Sequence, residues 1–276
     1  MADLGLVARI VALVLLGWVS AVWLAGIFYI LVTNLEARSR LPKRPLRASV
    51  AWGLRELGHV FWSQPLLPVF QLFGERMGSG GGEVPVVLVH GYFQNRVDFL
   101  YLAHVLRRAG CGPLYAFNFF WPQRLEASSA QLRRFVDHVR RDTGAPAVDL
   151  LTHSTGGLFA LDLIAEDPAA VRRAAVIAIP ARGVPWRGPV LGGSGSQLRA
   201  SSLYQANRSN RVETTPVLSA YSAHDNLVHP VTTSRLEGAA AENFEVNGPG
   251  HLSVLFDRRV AHAVVDFLTS DPAGSP

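Results

Sequence analysis

The sequence predicts an α/β fold: an open, mostly parallel sheet flanked by helices and preceded by one transmembrane helix. Three observations carry this expectation. Segments 84–89, 113–117, 147–151, 215–221 and 243–246 read as strands, the apolar 84–89 and 147–151 as buried ones, and the patterns at 157–166 and 254–268 read as helices. Within that alternation stands Asp149-Leu-Leu-Thr-His-Ser-Thr-Gly-Gly157, in which a strand, a serine and a helix follow one another directly. Ahead of both, residues 10–32 run without a charge.

That uncharged run comes first in the chain. At about 1.5 Å per helical residue it reaches roughly 34 Å, enough for a hydrocarbon core of about 30 Å. A cleaved signal peptide would need a shorter apolar region behind a basic start and a small-residue cleavage site. Asp3 and Arg9 precede the run and no such site follows, so a retained anchor over residues 1–36 is expected. Arg38, Arg40, Lys43, Arg44 and Arg47 crowd its C-terminal flank, which by the positive-inside rule places the rest of the chain in the cytoplasm. The alternative is a signal anchor with the globular part exported. A lone Cys111 rules out an intramolecular disulfide and fits either side.

Residues 37–82 read as a basic juxtamembrane and amphipathic connector. The basic cluster suits anionic lipid headgroups. Trp52, Phe61, Trp62, Phe70 and Phe73, with Arg47, Arg55, Glu56 and His59 between them, fit one or two amphipathic helices. These either pack on the sheet in place of missing strands or lie in the membrane interface. The Gly-Ser-Gly-Gly-Gly run at 78–82 reads as a flexible hinge into a globular domain at 83–276. About 200 residues then form one core, too few for two ordinary domains.

Strand 84–89 ends in His90-Gly91, a turn that can aim backbone amides inward. The aromatic loop Asn118-Phe-Phe-Trp-Pro122 follows strand 113–117 at the carboxyl edge of the sheet, where open α/β folds bind ligands. Phe119, Phe120 and Trp121 therefore either line an apolar substrate pocket or fill the core. Ser154 reads as the nucleophile elbow: a serine projected from a strained strand-to-helix turn needs small neighbours two positions away, a demand met by Gly156 and only partly by Thr152. A plain helix N-cap is the bland alternative for Ser154.

A nucleophilic serine needs a base, a carboxylate to orient the base, and donors for the oxyanion. Asp225 sits on the loop after strand 215–221 and His251 on the glycine-rich loop after strand 243–246, so the chain order is serine, aspartate, histidine. The backbone N–H groups of Tyr92 and Thr155 are the oxyanion candidates, and the side chains at these positions should matter little. His224 and His229 compete for the base but precede the last strand. His90 and His153, beside the turn and the elbow, read as structural, and His104 and His138 as packing or surface residues.

From about Val84 to the C-terminus these residues resemble the α/β-hydrolase superfamily, specifically its small bacterial lipases and esterases. Thr152 departs from the Gly or Ala usual there. The resemblance implies ester hydrolysis through an acyl-serine intermediate, with Ser154 as nucleophile, His251 as base, Asp225 as orienter, and neither metal nor organic cofactor. An apolar ester or lipid would be the substrate and the membrane the partner. The glycine- and serine-rich segment 188–210 reads as a short lid. The net charge of +5 does not indicate nucleic acid, because the basic residues are nearly all arginine, are scattered outside the juxtamembrane cluster and form no binding motif. Two other readings stand beside ester hydrolysis: an acyltransferase with the same three residues, and a silent hydrolase-fold binding or assembly protein.

Overall fold

The computed structural model describes residues 4–43, 45–66 and 75–270. Phe70 and Phe73 of the expected connector lie outside the described residues. A seven-stranded sheet carries the globular part in the order β1-β3-β2-β4-β5-β6-β7, with β1 (Arg76–Gly78) antiparallel to β3 and all other pairs parallel. The other strands are β2 (Val86–Val89), β3 (Leu114–Phe117), β4 (Val148–His153), β5 (Val171–Ile177), β6 (Val217–Ser222) and β7 (Ala241–Val246).

Five of these, all but β1 and β5, lie where the sequence predicts strands; β2, β3, β4 and β6 are buried throughout and need no alternation, while β7 at the edge is largely half-exposed. In β2, Val87 and Val89 enter one core, packed with Leu150, Leu158 and Phe159, while Val86 and Leu88 enter the other, packed with Leu151, Leu218 and Val264. Helices α4 (Leu125–Thr143) and α5 (Thr155–Glu166) cover the first face, and α3 (Leu100–Arg108) and α8 (Arg258–Thr269) the second. Each fully buried Leu or Phe in these layers contributes about 1.5–3 kcal/mol.

Two expectations need correction. The stretch 77–82 is not a free hinge, because Arg76 and Gly78 pair with Tyr115 and Leu114 and extend the sheet by an edge strand. Its glycines serve close approach: a Cβ on Gly80 would lie 1.6 Å from the Cys111 carbonyl oxygen. The last helix starts at Arg258 behind a 3₁₀ turn, Ser253–Phe256, and is capped by the Asp257 carboxylate accepting from the Arg259 N–H.

The chain before the sheet forms a helical hairpin. Helix α1 (Leu4–Ala37) is long and apolar enough to cross a membrane by length and composition. Helix α2 (Leu46–Ser63) runs antiparallel to it: Gly26 meets Val60, the Trp23 indole donates to the Phe61 carbonyl, and the Trp18 indole to that of Pro65. Helix α2 neither covers the sheet nor stands free. Its buried stripe of Trp52, Glu56, Val60 and Ser63 turns toward α1 and the loops after β2 and β7, while Val50, Leu54, Phe61 and Trp62 face outward.

Candidate active site

All the singled-out polar groups stand at the carboxyl edge of the sheet, because each follows the end of a parallel strand. Between β4 and α5, Ser154 takes φ 52° and ψ −122°, a left-handed φ that a non-glycine residue rarely adopts. Packing enforces the turn. A Cβ on Gly156 would sit 2.4 Å from the Val89 carbonyl oxygen, and one on Gly91 would sit 2.8 Å from the Ser154 Cβ. Thr152, two residues before, is fully buried and pairs with Val89 and Val176, so the turn tolerates its branched side chain inside the sheet.

The serine, histidine and aspartate meet. His251 Nε2 lies 3.1 Å from Ser154 Oγ, and His251 Nδ1 lies 2.8 Å from Asp225 Oδ2. The second carboxylate oxygen, Oδ1, accepts from the N–H groups of Leu227 and Val228, both at 2.8 Å, so the loop after β6 locks its own side chain. All three residues are buried, Ser154 at 6% exposure, which recesses the hydroxyl below the surface.

The turn after β2 faces the elbow. Gln94 Oε1 accepts from the Gly91 N–H at 2.9 Å, fixing the turn, while the Tyr92 N–H has no acceptor among the described residues. The Thr155 N–H opens α5 and belongs to the first turn, which lacks intrahelical partners. Tyr92 also has a use for its side chain, contrary to expectation. Its hydroxyl donates to the Leu191 carbonyl at 2.8 Å and accepts from the Leu191 N–H at 2.9 Å.

The remaining histidines sort by burial. His90 stacks on Phe119 at 4.3 Å, and burial lowers its pKa to about 4. His153 sits between Gln94 Oε1 and the His251 carbonyl; burial holds it well below its usual pKa, so the neutral ring has one N–H to donate between two acceptors. His224 accepts from the Gly248 N–H, and neither it nor His229 makes the serine contact.

The aromatic loop does not form one surface. Phe119 is core, packed edge-on against Phe159 at 4.9 Å, whereas Phe120 points to solvent. Trp121 lies against Phe93 at 4.7 Å and Tyr92 at 5.1 Å. The segment 188–210 folds into two short helices, α6 (Gly192–Gln197) and α7 (Leu203–Ala206). Tyr92 ties it at Leu191, Ser194 donates to the Trp121 carbonyl, and Gln197 bonds the Leu125 N–H and Glu126.

Three residues beside the site were not anticipated from the sequence as its neighbours. Asn226 Oδ1 accepts from the His251 N–H, and its amide donates to Thr33 Oγ1 of α1. Glu56 of α2 accepts from the N–H groups of Leu252 and Ser253. The available signal was a single carboxylate in the future apolar stripe of α2, a position that burial makes costly unless it is bonded.

A mostly parallel sheet with a strained serine between strand and helix, and an acid and a histidine on two later loops, defines an α/β-hydrolase fold. Residues 83–169 match the family described as Lipase (class 2). Among solved structures the chain is similar to Aspergillus fumigatus lipase B, at TM-score 0.62 and 18% identity, over 72% of this chain and 56% of that one. It is likewise similar to Paleococcus ferrophilus monoacylglycerol lipase, at TM-score 0.56 and 16% identity over 70% of this chain and 96% of that one. Bacillus licheniformis lipase BlEst2 gives TM-score 0.57 and 13% identity over 70% and 95%. The chain thus spans a little over half the length of the first of these lipases, and identities so low carry the fold.

Proposed function

We propose that the protein is a membrane-anchored serine hydrolase that cleaves carboxylic esters of apolar acids through an acyl-Ser154 intermediate. The relay of hydrogen bonds from Ser154 through His251 to Asp225 is the observation that supports it most. In this reading His251 Nε2 takes the Ser154 proton as Oγ attacks the ester carbonyl, and Asp225 holds the Nδ1–H and stabilises the imidazolium that forms. The Tyr92 and Thr155 N–H groups take the oxyanion. Collapse expels the alcohol, which receives the proton from His251. A water molecule, deprotonated in turn by His251, then attacks the acyl-serine; the acid leaves and Oγ regains its proton. Trp121 beside Tyr92 supports an apolar acyl group, and α1 supports attachment to a bilayer.

Labelling of the membrane fraction with a fluorophosphonate probe, wild type against Ser154→Ala, tests the proposal. Wild-type labelling lost in the variant is expected, with hydrolysis of p-nitrophenyl esters falling by at least about 10³-fold. A folded wild-type protein that neither labels nor hydrolyses such esters would sink it.

A further inference from the structure

Three successive amides at the base of His251 are each held by a side chain rather than by regular structure. The His251 N–H donates to Asn226 Oδ1 at 3.2 Å, the Leu252 N–H to Glu56 Oε2 at 3.0 Å, and the Ser253 N–H to Glu56 Oε1 at 2.9 Å. Ser253 Oγ accepts from the Gly250 N–H at 2.8 Å. Both holders lead back to the N-terminal hairpin: Glu56 stands on α2, and the Asn226 amide donates to Thr33 Oγ1 on α1 at 2.7 Å. Glu56, Asn226 and Thr33 are 1%, 2% and 1% exposed.

We infer that the hairpin positions His251, with Glu56 as the positioning residue on one side and Thr33, through Asn226, on the other. The inference rests on reading His251 as the base. Docking the hairpin does not by itself require a carboxylate at position 56. An apolar residue would dock α2 without the desolvation that raises the Glu56 pKa, whereas a carboxylate is needed to receive two N–H groups at once. The loop these amides belong to carries Gly248 at φ 116° and Gly250, so its own backbone restrains it little. Gly250 also admits no side chain, because a Cβ there would lie 2.5 Å from the Trp52 indole nitrogen and 2.7 Å from the Glu56 carboxylate. The ring must reach Ser154 and Asp225 together, and a misplacement of about 1 Å costs on the order of 10²-fold in rate.

The test uses the full chain in its membrane fraction, comparing Glu56→Gln and Thr33→Val with wild type, His251→Ala, and Glu56→Gln/His251→Ala. Glu56→Gln keeps the shape but replaces one acceptor oxygen with a donor. Thr33→Val exchanges the hydroxyl for a methyl of similar size and leaves the Asn226 amide without that acceptor. Each folded variant is expected to lower kcat for a short p-nitrophenyl ester by about 10- to 100-fold, leave KM within about twofold, and slow fluorophosphonate labelling in parallel. In the His251→Ala background, Glu56→Gln should change residual hydrolysis no further. Wild-type kcat in both single variants with an inactive His251→Ala would overturn the positioning role alone, as would an equal loss from Glu56→Gln in both backgrounds. Full activity in His251→Ala would instead remove the base assignment beneath it. If Glu56→Gln does not fold, Thr33→Val decides the matter by the same kcat and KM comparison.

Discussion

Asp98 shows what a single buried carboxyl does here. It lies in the 3₁₀ turn Arg96–Phe99, and burial, outweighing the lowering influence of Ser63, Gln94 and the Asn95 backbone beside it, raises its pKa to about 7 from the ordinary 3.8. A carboxyl whose folded pKa lies above its unfolded one binds its proton more tightly when folded. Its contribution to stability is complete below about pH 4 and is lost as pH rises through about 7. Asp98→Asn is therefore expected to lose that slope, so that urea midpoints of the variant minus wild type become more favourable between pH 5 and pH 8. An unchanged difference would contradict the assignment. Ser154, Asp225 and His251 were legible at this scale because each sits beside a local signal: an elbow, a strand end or a glycine loop. Glu56 and Thr33 were not, since their partners lie 196 and 193 positions away in sequence and no local pattern announces such a pairing.

Among the elements, the elbow depends most on its glycine. Ala at position 156 would place a Cβ against the Val89 and His90 carbonyl oxygens at 2.4 and 2.8 Å, and backbone atoms of a central strand cannot move aside as a side-chain tip can. Gly156→Ala is expected to cost about 1–3 kcal/mol of stability and to slow fluorophosphonate labelling, measured by denaturation and by probe kinetics. The same comparison explains which elements were readable. Strands β2, β3, β4 and β6 are short and buried throughout, so composition marks them, whereas β5 opens on Val-Arg-Arg, which breaks the apolar run, and was not predicted. β1 is three residues of Arg, Met and Gly on the edge, and its glycine-rich sequence looks like a linker because it pairs through its backbone on one side only. For α2 the sequence supplied the amphipathic pattern but not the surface that receives it, which is made from a membrane-type helix and two distant loops.

For the molecule as a whole, the hairpin and the sheet share one boundary at the candidate active site. Ile30, Trp52 and Val60 form a small core of their own, with Tyr29, Leu57 and Leu252 packed against it. The half of α1 nearer the N-terminus carries outward Leu13, Leu15 and Leu16, while its other end presents Thr33 and Ala37 inward. Deleting residues 1–66 is expected to leave the sheet folded by circular dichroism while labelling of Ser154 falls by at least about tenfold, because the Leu252 and Ser253 amides lose their Glu56 acceptor and Asn226, which holds the His251 N–H, loses Thr33. Labelling at the full rate would mean that the hairpin is a tether only. On the function proposed above, a chain trimmed in this way would keep every residue of the serine, aspartate and histidine set and still react at least about tenfold more slowly, so a weak signal from it would report the missing hairpin rather than missing chemistry at Ser154.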